Sequence, residues 1–148
     1  MIYSPMSEWR KNKQKEFIWP VRVYYEDTDN GGVVYYANYL KFMERARTEW
    51  LREQGVEQDH LIREHDLIFA VRSAQVDYRK PARFNQLLNV TAAIVKKGGA
   101  SLTFEHKITP AEDNNVLLCE GQIRIVCLSA STFAPIPLPE TIKYGDFW

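Results

Sequence analysis

Cysteine is scarce in this chain, and so is every feature that would mark a metal, membrane or secreted scaffold. The 148 residues contain only Cys119 and Cys127. Both fall in one apolar stretch that reads as a strand, where eight residues span about 26 Å, far beyond disulfide reach. Neither belongs to a Cys-x-x-Cys or Cys/His cluster, which argues against structural zinc. The expectation is two buried, inert thiols in a reducing, cytoplasmic setting. No apolar run approaches the ~20 residues of a membrane span, so no membrane insertion is expected. Arg10, Lys11, Lys13 and Lys15 precede Phe17 without an apolar segment after them, which does not fit a signal peptide. Charge of one sign is also lacking. Nineteen basic residues balance nineteen acidic ones, which argues against a broad nucleic-acid surface while leaving room for a local phosphate-binding patch. No Gly-x-Ser-x-Gly elbow is present, so serine-hydrolase chemistry is not expected. His60 and His65 lack the i, i+4 spacing of a zinc helix.

What is there suits a single domain. Apolar residues make up 45% of the chain, ordinary for one packed core. Residues 1–17 read as a polar tail and 18–148 as the folded domain. Val21 and Val23 alternate with Arg22 and Tyr24, predicting a strand over Ile18–Tyr25. A loop from Glu26 to Ala37 follows, long enough to suggest a functional role. Tyr39, Phe42, Met43, Ala46 and Trp50 then recur at helical spacing, with Asn38 as the expected cap and Gly55 as the stop. A short second helix is expected over Glu57–His65. The remainder reads as strands: Ile68–Tyr78, a segment around Leu88–Ile94, one carrying Leu102, Phe104, His106 and Ile108 on one face, Val116–Leu128, and a short Thr132–Pro135. Gly98-Gly99 and Asp113-Asn114-Asn115 mark turns between them. The class is therefore α+β, with one long helix against an antiparallel sheet. Its open edges predict a homodimer formed by edge pairing.

The richest chemistry lies in Tyr24-Tyr25-Glu26-Asp27-Thr28-Asp29-Asn30-Gly31-Gly32-Val33-Val34-Tyr35-Tyr36-Ala37-Asn38-Tyr39. Acidic side chains meet two glycines and then a helix start. Such a segment can be an ordinary turn with charges beside a helix. It can equally hold a carboxylate beside backbone N–H groups that face a developing oxyanion, with glycines admitting a substrate close to the backbone. A carboxylate so placed attacks a carbonyl carbon or activates water to do so.

This block, with Glu44-Arg45-Ala46-Arg47-Thr48-Glu49, Val76-Asp77-Tyr78 and Pro81-Ala82-Arg83, resembles the hotdog-fold thioesterases of the 4-hydroxybenzoyl-CoA thioesterase-like group. Within it, the chain most resembles the Tol-Pal-associated (YbgC-like) acyl-CoA thioesterases. The resemblance covers nearly everything after Phe17. It implies a hotdog fold and an acyl-CoA thioester hydrolase, with coenzyme A as part of the substrate and no separate cofactor or metal. It further implies a homodimer or homotetramer with sites at the subunit interface. The catalytic aspartate falls on Asp29, acting as nucleophile or general base, and the carbonyl-polarising backbone amide on Tyr36. The YbgC-like relatives usually carry His at the Tyr36 position, so a side-chain role for that His does not transfer, whereas the amide role does. Gly32, Val33 and Asn38 are the expected substrate contacts around the loop. Arg79, Lys80 and Arg83 form a compact basic turn, either solvated or placed for the coenzyme A phosphates.

Other positions carry structural expectations. Asp27 and Glu26 are expected to fix the turn through hydrogen bonds, and Asn38, besides capping the helix, to orient the loop. Arg45 and Arg47 are expected to pair on the helix surface with Glu44 and Glu49, or to join an interface network. His106 is expected to be a structural histidine. Two other activities compete: hydrolysis of acyl groups on acyl carrier protein, and a non-catalytic hotdog protein that binds acyl ligands. Nucleic-acid binding through the basic tail is disfavoured by the charge balance.

Overall fold

The computed structural model describes residues 16–143. The chain runs β1 (Phe17–Arg22), a 3-10 turn (Tyr25–Asp27), α1 (Asn38–Glu53), α2 (Gln58–His65), β2 (Leu67–Tyr78), β3 (Leu87–Lys97), β4 (Ser101–Pro110), β5 (Cys119–Ser129) and a short α3 (Glu140–Lys143). The five strands form one antiparallel sheet in the order β1-β3-β4-β5-β2. This is the expected α+β pattern. The basic stretch Arg10–Lys15 lies outside the described residues, while Phe17, assigned above to the tail, already opens β1. No helix among the described residues is long and apolar enough to cross a membrane.

Helix α1 forms because its apolar residues recur every three or four positions. Tyr39, Phe42, Met43, Ala46 and Trp50 are all buried. They pack on the face of the sheet that presents Leu88, Val90, Leu102, Phe104 and Ile123. Trp50 meets Phe104 edge to face at 5.4 Å between centroids, a favoured aromatic geometry. The Met43 thioether packs onto the sheet at Gly121, where a Cβ would lie 3.0 Å from it. Gly55 (φ 83°) closes the helix: its N–H bonds to Arg52 O, and that of Val56 bonds to Leu51 O, a Schellman arrangement with the buried Leu51 and Val56 side by side.

Some boundaries differ from the sequence expectation. β1 ends at Arg22 because the chain leaves the sheet edge to bond with the 85–86 turn, through Val23 N–H to Gln86 O and Asn85 N–H to Val23 O. β5 begins at Cys119, not Val116, because Val116 N–H closes a turn on Asp113 O. No strand forms over 132–135: Phe133 adopts φ 61° and only an isolated bridge joins Leu128 to Pro135. Cys119 and Cys127 share β5 as free, buried thiols, and burial pushes them up to about 12 and about 11.

Arg47 is not paired on the helix surface. It is buried, and its Nη1 lies 3.1 Å from His106 Nε2. His106 is fully buried on β4, with Nδ1 2.8 Å from Thr91 O. One neutral tautomer satisfies both contacts: Nδ1–H donates to the Thr91 carbonyl and Nε2 accepts from the guanidinium. Burial, then the neighbouring Arg47 charge, push His106 down to about 3, so it stays neutral at ordinary pH.

β2 carries a bulge. Val71 pairs with Ile125 and Ser73 with Arg124, so Arg72 has no partner. Opposed residues share a face. Before the bulge Leu67, Phe69 and Val71 therefore face the helix side, and after it Ala74, Val76 and Tyr78 do.

β2 is entered through Asp66, which sits at φ 53°. Its carboxylate accepts bonds from the Ser129 and Ser131 hydroxyls, each at 2.7 Å, and from Ser131 N–H at 3.0 Å. The Ser131 and then the Ser129 hydroxyl hold this carboxyl below its usual range. A depressed folded-state pKa stabilises above the unfolded value of about 3.9 and loses that contribution as pH falls through the folded value. The melting-temperature advantage of wild type over Asp66→Asn is therefore expected to be full at neutral pH and to shrink below about pH 4. Calorimetry across that range checks it, and a pH-independent difference would contradict it.

Candidate functional site

The loop between β1 and α1 is organised around Asp27. The Asp27 side chain is buried, and Oδ2 accepts the Tyr24 N–H at 2.8 Å, which ties off the 3-10 turn. Its carbonyl accepts two further bonds, from Tyr35 N–H and from Asn38 Nδ2, both at 2.9 Å. The expectation that Asp27 fixes the turn thus has a specific geometry. Of the two roles expected for Asn38, capping the helix and orienting the loop, the first is corrected: the cap is Ala37, which offers no side-chain bond, and Asn38 is the first helical residue. Its side chain turns back to the Asp27 carbonyl, so it braces the loop and does not cap the helix.

Past Asp27 the chain makes a tight hairpin. Thr28 and Val34 form an antiparallel bridge. Asp29 N–H bonds to Val33 O at 2.9 Å, and Gly32 N–H to Asp29 O at 3.1 Å. Gly32 sits at φ 76°, a conformation costly for any side chain. Asp29 itself is exposed. Its Oδ1 accepts the Gly31 N–H at 2.9 Å, an Asx turn that orients the carboxylate. Among the described residues Oδ2 makes no hydrogen bond, so one oxygen faces solvent.

The hairpin is strapped to the turn over residues 79–86. Val34 N–H bonds to Ala82 O at 2.8 Å, Phe84 N–H bonds to Gly32 O at 3.2 Å, and Val33 bridges Arg83. The buried Tyr39 hydroxyl accepts the Ala82 N–H at 3.0 Å. The straps place the loop against the start of α1. Asn38 N–H bonds to Tyr35 O, and the Tyr39 and Leu40 amides reach back to Tyr36 O and Ala37 O. Among the described residues the amides of Tyr36 and Ala37 make no hydrogen bond within the chain. They lie at the positive end of the helix dipole, where anionic charge is favoured.

The Tyr36 side chain, 60% exposed, belongs to an aromatic cluster. It lies 4.9 Å from Tyr35 and meets Tyr78 edge to face at 5.9 Å, and Tyr78 lies 5.5 Å from Tyr39. A cleft of about 250 Å³ is lined by Val34, Tyr36, Tyr39, Tyr78, Arg79 and Lys80. Tyr36, Arg79 and Lys80 are thus brought to one place. Arg83 joins the site through its backbone bridge to Val33 and a bond from its N–H to Gln86 Oε1. Arg79 is engaged by Glu120 at 2.7 Å. Lys80 and Arg83 make no ion pair among the described residues. Among those residues, too, no group of three or more His, Cys, Asp or Glu side chains is placed to hold a metal ion.

Sequence reasoning assigned no role to Tyr78 or to the Tyr39 hydroxyl. Tyr39 reads as one more core aromatic, since only the fold brings Ala82 to its phenol. Tyr78 closes a strand whose facing depends on the bulge, and periodicity alone does not reveal a bulge.

Residues 23–145 match the family model described as the thioesterase-like superfamily. The chain is 46% identical over 126 residues to the acyl-CoA thioester hydrolase YbgC of Escherichia coli O157:H7, covering 85% of this chain and 92% of that one. It is 39% identical to the acyl-CoA thioesterase YbgC of Haemophilus influenzae over 127 residues, 86% of this chain and 91% of the relative. Among solved structures, a probable thioesterase from Bartonella henselae is 32% identical with a TM-score of 0.78, covering 84% of this chain and 99% of that chain. Slr0204, a 1,4-dihydroxy-2-naphthoyl-CoA thioesterase from Synechocystis, is 26% identical with a TM-score of 0.80, covering 86% and 93%.

The Asn38 brace yields a direct test. Asn38→Ala leaves the buried Asp27 carbonyl with one donor fewer and is expected to destabilise the fold by about 1–2 kcal/mol in urea unfolding. An unchanged unfolding midpoint would remove Asn38 from this role.

Proposed function

This chain belongs to the thioesterase-like superfamily, and on that premise we propose that it hydrolyses acyl-CoA thioesters to a carboxylic acid and coenzyme A at the loop centred on Asp29. The carrying observation is the pairing of two features in one strapped hairpin: a carboxylate with a solvent-facing oxygen, and unpaired amides at the start of α1. Relatives named as acyl-CoA thioester hydrolases at up to 46% identity support the substrate class.

In this reading the thioester carbonyl oxygen lies against the Tyr36 N–H, and charge that develops on it in the tetrahedral intermediate is stabilised by that amide and the helix terminus. The Gly31 amide holds Asp29 Oδ1, leaving Oδ2 to act. If Oδ2 attacks the carbonyl carbon, the C–S bond breaks, coenzyme A leaves as thiolate, and water then cleaves the mixed anhydride. If Oδ2 acts as a base, it takes a proton from water as the water oxygen attacks, and thiolate leaves in the same way. Thiolate departs readily, so neither route needs a strong acid beside the sulfur. The flat Gly31-Gly32 turn and Val33 allow close approach to the backbone, while Lys80 and Arg83, with Arg79 through exchange of its Glu120 partner, supply cations for the phosphates.

The reading includes a homodimer. Strand β2 is hydrogen-bonded on one side only, to β5, and the other side is a sheet edge. Its helix-facing residues past the core remain open: Val71 is 56% exposed and Tyr78 47%. A second copy paired along β2 would cover both and would bring its own chain to the Tyr36–Tyr78 cluster.

Asp29→Asn is expected to lower kcat on acyl-CoA by about two to four orders of magnitude with KM little changed. Retained turnover in a folded variant would overturn the assignment. Label found in the Asp29 carboxylate after single turnover in ¹⁸O-water would establish the nucleophilic route, because a general base takes up no solvent oxygen and only water attack on the Asp29 side of the anhydride places it there. Tyr36→His keeps the amide and is expected to hold kcat within about an order of magnitude of wild type. The same assay with acyl groups on acyl carrier protein tests the competing carrier, which a markedly higher kcat/KM would favour.

A further inference from the structure

Helix α1 buries a cation that, among the described residues, closes no ion pair, although Glu44 on its own helix acts on it electrostatically. Arg47 is only 7% exposed, yet its one recorded side-chain bond is to the neutral His106 ring. Among the described residues no carboxylate lies within ion-pair distance of it. A buried guanidinium with no carboxylate in contact is costly. Burial lowers Arg47 to about 10, opposed by the charge of Glu44 one turn back on the same helix, so it remains a cation at neutral pH.

Arg47 also lines a cleft of about 80 Å³ between α1 and the free edge strand, with Glu44, Thr48, Leu51, Phe69 and Val71. A cleft this small suits the tip of a side chain and falls well short of the few hundred Å³ of a ligand pocket. Glu44 on the same helix face is exposed, and its recorded bond is from the Thr48 hydroxyl to Oε2 at 2.9 Å. Glu49, by contrast, is taken by Arg52. The face of α1 beside the β2 edge therefore presents one cation and one available anion, one helical turn apart.

We propose that this face docks a second copy of the chain, with Glu44 of each copy entering the other's cleft to pair with Arg47. The proposal rests on the homodimer reading above and adds its specific contact. Pairing β2 with the partner's β2 about a two-fold axis runs the two α1 helices antiparallel. An axis passing near residues 45–46 sets Glu44 against the partner's Arg47 and Arg47 against the partner's Glu44 at once, as an isologous interface requires. Three residues along a helix rise about 4.5 Å, so both contacts fit within one turn of the crossing. Each guanidinium then has His106 on one side and a carboxylate on the other. The apolar rim of Leu51, Phe69 and Val71 excludes water from the pair.

Sedimentation velocity of the full chain over a dilution series tests this, using wild type, Glu44→Gln, Arg47→Met and the double variant. Glu44→Gln keeps the Thr48 bond and removes only the charge. The expected result is a wild-type dimer whose Kd rises about tenfold to a hundredfold in Glu44→Gln, with little further loss when Glu44→Gln is added to Arg47→Met. Specific activity on dilution should fall earlier in Glu44→Gln than in wild type. A dimer with the same Kd in wild type and Glu44→Gln would overturn the pairing and leave the dimer standing. A wild type that is monomeric throughout would overturn the dimer reading and the pairing with it. Should Arg47→Met fail to fold, the Glu44→Gln comparison decides alone. Stabilisation by inorganic phosphate that depends on Arg47 but not on Glu44, with an unchanged Kd, would assign the cleft to a free anion and also overturn the pairing.

Discussion

The close contact between α1 and the sheet sets the geometry of everything else. At Gly121 the Met43 side chain packs on bare backbone, its thioether 3.0 Å from where a Cβ would stand. From that point Phe42, Ala46 and Trp50 reach the floor of Leu102, Phe104 and Ile123. Interiors at this packing density transmit displacement. The position of the helix N-terminus, and of the amides that open there, is therefore fixed by apolar contacts remote from the loop.

The loop is held by backbone more than by side chains. The Asp27 carbonyl receives two donors, and Ala82 exchanges bonds with both Val34 and Tyr39. Only a few side-chain groups brace this lattice: the Asp27 carboxylate, the Asn38 amide and the Tyr39 phenol. The Asp29 side chain is left out of the bracing apart from its own turn with Gly31. The division separates two neighbouring acids of the same type. Asp27 is buried and committed to structure, while Asp29 is exposed with an oxygen to spare. Preorganised donors beside an uncommitted carboxylate are what acyl-transfer chemistry demands.

Much of this is legible in the sequence, for identifiable reasons. The buried stripe of α1 follows from its spacing, Gly55 from its helix-ending chemistry, and the face of β4 from strict alternation through Leu102, Phe104, His106 and Ile108. These are local rules, and the burial of all four β4 residues obeys them. What escapes is what depends on distant chain. Asn38 has the composition of a cap, but tertiary contact with Asp27 turns it inward. Arg47 sits among acids at pairing distance along the helix, yet its side chain lies beneath α1 because His106 supplies an acceptor there. The residues 132–135 look like a strand, but prolines that follow and the left-handed Phe133 leave only one bridge. The site itself is half legible. The acidic glycine loop marks itself, while the aromatic wall from Tyr78 does not.

The unpaired Arg72 in β2 sets a phase. Side chains along a strand alternate like a two-beat rhythm, and the extra residue inserts one beat, so that odd positions look inward before it and even positions after it. Tyr78 stands beside Tyr36 because that residue is looped out of the ladder instead of being paired in it. Were Arg72 instead taken into the ladder opposite Arg124, the core end of the strand would stay in step and every later side chain would turn over, presenting Asp77 to the aromatic cleft and Tyr78 to the outer face. Whether this one residue is looped out or paired, in a strand remote in sequence from Asp29, thus decides between an aromatic wall and an acidic one without altering any residue of the loop.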